Sequence, residues 1–309
     1  MTRRALCLVN PKARSGEARA KTLGELLDAA GLEARVVLTA SSAEARASLR
    51  REAPGHDLVV IGGGDGTLSG LADAVLQSGL PLGVVPLGTA NDLAHSLAIP
   101  TEVEAAVAVI AAGRSAAIDV GRIETPAGER HFLNVASMGL AANVARFHRG
   151  PRKRLLGIVS YPLSWWDGWR ASRPLRLTLT LDGVARRCRV LQLAIGCGRY
   201  YGGGLTMDEK ASHFDGLLRL YYLRPVSVLS LLSLLPALWR GRLQRRREAV
   251  TWSGRKVEVR AGYPLQIDVD GDLGLTTPAR FTVEPAALPV FLPAETLREA
   301  GERAEAQAP

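Results

Sequence analysis

The chain has 309 residues, of which 47% are hydrophobic and 22% are charged. This composition excludes an intrinsically disordered chain, and the length predicts two domains. Lys and Arg number 39 against 30 Asp and Glu, which gives a formal net charge of +9. The excess of positive charge favours anionic partners such as nucleotides, phospholipid surfaces or nucleic acid.

Cysteine usage and hydropathy narrow the class of protein further. Cys7, Cys188 and Cys197 are far apart and show no C-x-x-C spacing. This pattern excludes a disulfide scaffold and a zinc module, and it suits a reducing compartment. The residues before Pro11 lack the apolar stretch of a signal peptide, and the apolar, uncharged run at 225–239 is too short to cross a bilayer. We therefore expect a cytoplasmic protein.

The first 120 residues alternate short apolar runs with helical patterns. The alternation predicts strands at 5–10, 34–39, 57–62 and 81–87, and helices at 17–30, 42–53, 67–78, 91–98 and 101–112. Strands that are apolar throughout and separated by helices indicate a parallel sheet covered on both faces. In such a sheet, ligands bind beyond the carboxyl ends of the strands.

After Asp119 the pattern changes to many short strands, which predicts an antiparallel sandwich or a distorted barrel. The predicted strands are DVGRIETP, RHFLNVAS, LRLTLTLDG, RRCRVLQLAIG, LLRLYYL, KVEVRA, LQIDVDG and ARFTVEP. Helical segments at about 141–170 and at 226–247 interrupt them. The last residues, AETLREAGERAEAQAP, are predicted to form a short helix.

Three of the strands in the first half end in turn-forming sequences: NPKARSG at 10–16, GGGDGT at 62–67 and GTAND at 88–92. Because parallel strands end at one edge of a sheet, these sequences should meet there, and a Gly-rich turn before a helix exposes N–H groups that bind phosphate. The sequence contains no Gly-Lys pair, which excludes a Walker A loop. A tight turn capped by Asp65 or Thr67 is the alternative for GGGDGT, and an N-cap followed by an acid is the alternative for Asn91 and Asp92.

The motifs together resemble a known family. NPKARSG, GGGDGT, PLGTANDLA, RYYGGG followed by A-x-x-x-DGLL, and a late VDGD resemble the lipid kinases that include bacterial diacylglycerol kinase-like enzymes and sphingosine and ceramide kinases. The resemblance implies an α/β domain like that of NAD kinases at 1–120, which residues 286–309 rejoin, and a β-sandwich at 121–285. It also implies that ATP, with Mg²⁺, meets the lipid between the two domains.

The resemblance assigns roles to single residues. It implies that Asp65, Asp92 and Asp119 organise magnesium and water around the phosphates. Asp272 stands where the family has the Glu of D-G-E and resembles the general base for the lipid hydroxyl, with Asp270 beside it. The implied nucleotide contacts are Asn10, Thr39, Gly64, Asp65, Gly66, Thr67, Leu68, Ser69, Gly70, Thr89 and Asn91.

A second, structural magnesium site of bacterial members aligns with Ser212, Asp215 and Leu217, where two of the ligands are backbone carbonyls. Asp215 would supply the side-chain ligand. The chain departs from the family beside this site, because the usual acid after DGxL is Arg219 and the usual Pro before A-x-x-x-DG is Glu209.

The VDGD sequence also has a local chemistry of its own. Asp270 and Asp272 flank a glycine, so at a strand end both side chains should point to one face. Two close carboxylates raise the pKa of one of them, which helps it to accept a proton. The alternative is a plain hairpin turn, for which Asp-Gly is a strong signal.

Two segments are candidates for contact with an anionic membrane surface. The first combines basic and aromatic residues: Arg146, Arg149, Arg152, Lys153, Arg154, Trp165, Trp166 and Trp169. The second, at 226–247, is apolar and then basic, as in a helix that lies among headgroups. The alternative for the tryptophans is core or interdomain packing. For 226–247, a homodimer contact stands beside the membrane contact, and the alternatives are core packing of the apolar part and a solvated face for the arginines.

The leading hypothesis is an ATP-dependent kinase that phosphorylates the hydroxyl of a diacylglycerol- or sphingoid-like lipid. An NAD kinase, which shares GGDGT, is the nearest enzyme alternative. A nucleotide-binding regulator without catalysis is a further alternative, since Asp272 replaces the family's Glu. The aromatic content of 5% and the lack of a stacking motif argue against a nucleic-acid partner.

Overall fold

The computed structural model describes residues 2–10, 16–148, 167–201, 205–206, 208, 210–240 and 246–307. The helices are α1 (Gly16–Ala29), α2 (Ser42–Glu52), α3 (Asp65–Ser78), α4 (Asp92–Ser96), α5 (Val103–Ala111), α6 (Leu140–His148), α7 (Val228–Trp239) and α8 (Ala294–Gln307). The strands are β1 (Arg3–Val9), β2 (Leu32–Leu38), β3 (Leu58–Gly63), β4 (Leu82–Pro86), β5 (Ser115–Thr125), β6 (Gly128–Phe132), β7 (Val135–Gly139), β8 (Leu175–Leu181), β9 (Val184–Val190), β10 (Gln192–Gly196), β11 (Tyr200–Tyr201), β12 (Leu205–Thr206), β13 (Leu218–Leu223), β14 (Ala249–Gly254), β15 (Lys256–Ala261), β16 (Gln266–Val269), β17 (Asp272–Thr276) and β18 (Ala279–Phe291).

The N-terminal part is an α/β domain whose first four strands pair in parallel in the order β2-β1-β3-β4. Every residue of β3 and β4 is buried, as continuous apolar runs require in a sheet with both faces covered. Each strand and helix predicted in the first 112 residues is present, with ends that differ by at most two residues. The predicted parallel α/β domain is therefore confirmed.

The long strand β18 joins this sheet to the C-terminal part. It pairs in parallel with β4 through Val290 and Leu82, and in antiparallel with β5 and β15. The sheet continues from β15 to β8 and β9. A second antiparallel sheet has the order β14-β13-β10-β7-β16-β17, and the two sheets enclose an apolar core. The predicted antiparallel sandwich is confirmed.

The structure corrects several predicted strands. RHFLNVAS forms two strands, β6 and β7, which are separated at Leu133 and Asn134, and RRCRVLQLAIG is divided between β9 and β10 at Leu191. Strands β11, β12, β14 and β17 are absent from the prediction, since β11 and β12 have two residues each, β14 lies between charged residues and β17 contains Gly274 in a short run.

The two predicted helical insertions are described in part. Residues 140–148 and 167–171 are helical, and α7 covers 228–239. The residues expected to carry much of the membrane contact, at 149–166 and 241–245, lie outside the described residues, as does Glu209. Trp169 is half-buried and packs against a small core with Leu140 and Val144. Among the helices that the model describes, none has the length and apolar character needed to cross a bilayer.

Candidate functional site

Two glycine-containing loops touch at the carboxyl edge of the parallel sheet. Gly64 follows β3, and Gly88 follows β4. A Cβ added to Gly88 would lie 2.5 Å from the Gly64 Cα, and one added to Gly64 would lie 2.9 Å from the Gly88 Cα. Side chains at these positions would force the loops apart, so the sequence requires glycine for this close approach.

Helix α3 begins in the first of these loops. Gly64 is its N-cap, and the Gly64 carbonyl accepts hydrogen bonds from the amides of Thr67 and Leu68. The amides before Thr67 belong to the first turn, whose N–H groups have no hydrogen-bond acceptor within the helix. They carry the partial positive charge that attracts phosphate. The predicted phosphate-binding turn is thus placed at a helix N-terminus.

The structure does not bring the whole predicted 64–70 segment to this N-terminus. The side chains of Leu68 and Ser69 are 4% exposed, and Leu68 packs in the core of the α/β domain. The carbonyl of Gly70 accepts a hydrogen bond from Arg46 of α2. Leu68 and Ser69 therefore lie on the buried side of α3, Gly70 is half-buried beside α2, and the nucleotide contacts expected of these three residues stay predictions.

The other predicted nucleotide contacts follow strand ends of the same sheet. Asn10 is half-buried after β1, and the amide of buried Thr39 donates to the Val9 carbonyl. Thr89 is exposed. Asn91 has φ of 51°, and its side chain bonds both the N–H and the C=O of Gly88. Asn91 therefore shapes the loop through its side-chain amide.

Asp65 and Asp92, the first residues of α3 and α4, form an acidic pair. The amide of Leu93 donates to Asp65 Oδ1 at 3.3 Å. Burial raises the pKa of Asp65, and the neighbouring charge of Asp92 raises it further, against the opposing hydrogen bond from Leu93. The structure thus brings together two of the three aspartates predicted to hold magnesium.

Asp270 anchors a loop of the sandwich domain. It lies in the turn between β16 and β17, with φ of 47°, and Gly271 follows with φ of 86°. Its carboxylate accepts backbone hydrogen bonds from Leu133, Asn134 and Val135 at 2.8, 3.1 and 2.7 Å. Burial raises its pKa to about 6, although these three hydrogen bonds oppose the shift.

Asp272 has a different partner from Asp270. Its Oδ2 lies 2.8 Å from Nη2 of Arg130, and its side chain is 57% exposed. Burial is the main cause of the raised pKa of Asp270, and the charge that raises this pKa further is that of Asp65. The expected coupling between Asp270 and Asp272 is therefore corrected, because the hairpin turn directs Asp270 into backbone amides while Asp272 remains accessible.

Asn134 is a site residue that sequence analysis missed. It is 5% exposed and lies between β6 and β7. Its Nδ2 donates to Asp65 Oδ1 at 3.4 Å, while its backbone N–H donates to Asp270. Asn134 therefore connects the acidic pair of the α/β domain to the anchored loop of the sandwich. The only sequence signal is a polar residue inside an apolar strand pattern.

Asp119 belongs to a neighbouring cluster. Its Oδ2 accepts from the Gly216 amide at 2.6 Å, and its Oδ1 accepts from the Ala286 amide at 3.0 Å. Burial raises its pKa, against these hydrogen bonds. Both oxygens thus bind backbone of the 213–216 loop and of β18, and the structure places Asp119 with Asp215 instead of with the acidic pair.

The acidic pair fits a magnesium ion that arrives with a nucleotide. Within the part of the chain that the model describes, no three His, Cys, Asp or Glu side chains are grouped so that they could hold a metal by themselves. Magnesium bound with ATP needs only one or two carboxylates, since phosphate and water supply the other ligands. Asp65 and Asp92, whose mutual repulsion a cation would relieve, have this chemistry.

A cavity of about 450 Å³ lies on the sandwich domain near the hairpin that carries Asp272. Its lining is mainly apolar, and it includes the residue that follows Asp272. The lining residues are Gly139, Ala142, Asn143, Leu175, Pro264, Leu265, Gln266 and Leu273.

Comparison with protein families gives two matches that follow one another along the chain. Residues 4–123 match the diacylglycerol kinase catalytic domain, and residues 134–292 match the YegS C-terminal NAD kinase beta sandwich-like domain. The first match contains Asp65 and Asp92, and the second contains Asn134 and Asp270. The site described above therefore draws residues from both matched regions.

Several known proteins are similar over most of the chain. A diacylglycerol kinase of Mycobacterium tuberculosis H37Rv is 34% identical over 78% of both chains. A protein of Pseudomonas putida KT2440 with the name "Probable lipid kinase YegS-like" is 32% identical over 94% of this chain and 96% of its own. The crystal structure of a diacylglycerol kinase from Bacillus anthracis Sterne has a TM-score of 0.74 and 18% identity, and it covers 96% of this chain and 98% of its own. This last likeness concerns the fold.

Proposed function

The chain belongs to the diacylglycerol kinase-like family of lipid kinases, a family of phosphotransferases, and on this premise we propose that it transfers the γ-phosphate of ATP to the hydroxyl of a diacylglycerol- or sphingoid-like lipid. The observation that carries the proposal is the link from Asp65 through Asn134 to Asp270. This link places the start of α3, with its phosphate-attracting amides, directly against the sandwich domain. A phosphate donor and a hydroxyl acceptor can then meet at one boundary.

Asp65 and Asp92 are the proposed magnesium ligands. Bound magnesium would neutralise phosphate charge during transfer, which is the main demand of phosphoryl-transfer chemistry. The first-turn amides of α3 would also bind and orient the phosphates. Asp65 is held in place for this task by the Leu93 amide and by the side chain of Asn134.

Asp272 is the proposed general base. It keeps an accessible carboxylate, whereas Asp270 uses both of its oxygens for three backbone amides. In the proposed step, a carboxylate oxygen of Asp272 takes the proton of the lipid hydroxyl as the hydroxyl oxygen forms its bond to the γ-phosphorus. The bond between the γ-phosphorus and the bridging oxygen breaks, and ADP leaves. Arg130 orients Asp272 through their ion pair.

The cavity beside the hairpin supports a lipid acceptor over a polar one. Leu273 lines the cavity and follows Asp272 in β17, so an acyl chain bound there would contact the hairpin that carries the proposed base. Burial of each methylene of such a chain contributes about 0.8 kcal/mol to the binding free energy. An acyl chain gains affinity in this way, whereas NAD has no such chain.

We also propose that the protein binds anionic membranes peripherally, where its substrate resides. Helix α7 is largely apolar, and Leu229 on it is 79% exposed. The exposed residues Arg240, Arg246 and Arg247 follow that helix in the sequence. An apolar helix followed by arginines has the chemistry for insertion among negatively charged headgroups.

The test is a phosphorylation assay with purified protein, labelled ATP and magnesium. Three acceptors are offered separately: a lipid extract in mixed micelles, diacylglycerol, and NAD, with mass analysis of each product. We expect label in a lipid phosphate, and its loss in the Asp65→Asn variant. Label in NADP would favour the NAD kinase alternative, and nucleotide binding without any product would favour a regulator.

A further inference from the structure

Arg219 is the second residue of β13, and its guanidinium lies against Asp215 of the preceding loop, where the family resemblance implies a magnesium ion. It is an arginine with only 7% of its surface exposed, and its Nη2 hydrogen-bonds to Asp215 Oδ2. Its Nε lies 3.6 Å from Asp208 Oδ2. The side chains of Arg219 and Asp215 are each 9% exposed. A buried guanidinium in contact with two carboxylates forms a charge cluster that water screens weakly.

The oxygens aligned with a second magnesium site already have other partners. Asp215, which would supply the side-chain ligand, accepts at Oδ1 from the amide of Leu217 at 3.1 Å. Asp215 Oδ2 faces Arg219 and also lies 3.8 Å from Nη1 of Arg303. Magnesium needs a nearly octahedral set of oxygens without cations among them. The residues at 212–217 therefore do not fit this ion.

The loop nevertheless needs positive charge. Asp119 accepts hydrogen bonds from the backbone of Asp215 and Gly216, and its charge contributes to raising the pKa of the Asp215 carboxylate, so the two acids interact here. Asp119 also binds Ala286 of β18, the strand that pairs with both parts of the fold. Two unneutralised carboxylates at this point would repel each other and loosen the contact between β5, β18 and the 213–216 loop.

We propose that Arg219 is the built-in cation of this loop, and that its guanidinium neutralises Asp215 beside Asp119 in place of a divalent ion. The loop then keeps its shape without bound magnesium. It follows that the protein needs magnesium for its nucleotide only, and that its fold is indifferent to chelators. This inference concerns stability and metal uptake, so it stands or fails separately from the kinase assay.

Thermal unfolding of the full chain without nucleotide tests the proposal, in excess EDTA and in millimolar magnesium. We expect the wild-type Tm to be equal in both solutions. Arg219→Gln should lower the Tm in EDTA by more than about 5 °C, because it removes the guanidinium that contacts the carboxylates of Asp215 and Asp208. Arg219→Asp, which supplies an oxygen ligand, should melt lower still in EDTA and recover part of the loss with magnesium.

The controls separate the loop from other sites. Arg224→Gln removes an exposed arginine just after β13 and should leave the Tm unchanged. If magnesium raises the Tm of the wild type but not that of Asp215→Asn, the proposal is overturned. If magnesium raises the Tm of both proteins equally, the ion binds at another site, which agrees with the proposal. If Arg219→Gln does not fold, Arg219→Lys keeps the charge and should fold. A wild-type Tm in Arg219→Gln would also overturn the proposal.

Discussion

Asn134 donates its side-chain N–H to Asp65 at 3.4 Å, and this hydrogen bond crosses from the sandwich to the α/β domain. The two residues are 69 positions apart in the sequence. The backbone of Asn134 is fixed in turn by the carboxylate of Asp270. The position of the proposed magnesium ligand Asp65 thus depends on a residue of the other domain.

The first prediction concerns Asn134. Asn134→Ala removes the hydrogen bond to Asp65 but keeps the backbone contact with Asp270, so we expect a folded protein with kcat lowered on the order of 100-fold. Asn134→Asp places a further carboxylate beside Asp65 and should also weaken the binding of magnesium-ATP. Steady-state kinetics with ATP varied would show a larger KM for Asn134→Asp than for Asn134→Ala. Equal kinetic constants in all three proteins would contradict the positioning role.

The second prediction concerns Asp65 itself. Asp65→Asn should abolish turnover while the Tm stays the same or rises. The reason for the Tm is that the fold raises the pKa of Asp65, so the ionised carboxylate is disfavoured near neutral pH and a neutral amide removes that penalty. Turnover with magnesium-ATP and a thermal melt at pH 7 are the two measurements. Near-normal turnover would mean that Asp65 serves only to begin the helix.

The third prediction separates Asp272 from Asp270. Asp272→Asn should reduce kcat about 10²–10⁴-fold with little change in ATP affinity, and Asp272→Glu should keep activity. Asp270→Asn should instead lower the Tm, because one amide oxygen cannot accept the three N–H bonds that the carboxylate accepts. An active Asp272→Asn would assign the base to another group.

The fourth prediction is a pH dependence of stability. His131 Nδ1 lies 2.6 Å from Asp73 of α3, and its Nε2 lies 3.2 Å from Glu284 of β18. The hydrogen bond with Asp73 raises the pKa of His131, and the charge of Glu284 adds to this effect. Arg130 and Arg122, which pair with nearby acids, are the cations that face the cluster.

The sign of this dependence follows from the direction of the shift. Because the folded pKa of His131 lies above 6.5, its contribution is fully present below pH 6.5 and is lost as the pH rises through the folded value. The Tm difference between wild type and His131→Gln should therefore shrink from about pH 6 to about pH 8. A difference that is constant over this range would show that His131 is not charged in the fold.

The fifth prediction concerns the membrane. Leu229→Glu on α7 should reduce co-sedimentation with anionic vesicles, and binding of the wild type should fall as salt rises. Val184→Glu is the matched control, because Val184 is also an exposed apolar residue, at 59%, but lies on the edge strand β9. Equal binding to neutral and anionic vesicles would remove the electrostatic part of the proposal.

Sequence analysis predicted those parts of the site that depend on short segments of the chain. Asp65 and Asp92 each follow a buried parallel strand, and the shared edge of such strands is enough to predict that the two side chains meet. The Asp-Gly turn at Asp270 was likewise visible as a hairpin signal. These features depend on residues close together in the chain.

Asn134 escaped prediction for the opposite reason. The apolar pattern of RHFLNVAS predicts one continuous strand. The strand is interrupted after β6 because three consecutive amides donate hydrogen bonds to Asp270, which lies 135 or more positions away in the sequence. The partners of Asp119 and Asp272 also depend on contacts of long range, with Ala286 and Arg130. Local patterns carry no information on such contacts.

The placement of β18 has a consequence for how the chain folds during synthesis. Leu288, Val290, Phe291 and Leu292 complete the core of the α/β domain, although they are made after the whole sandwich. As long as the nascent chain ends before Leu288, Val290 is missing and cannot pair with Leu82 of β4. That edge of β4 is then open to incorrect strand pairing. The first domain to leave the ribosome is therefore the last to finish, and native folding of both domains waits for the final strand.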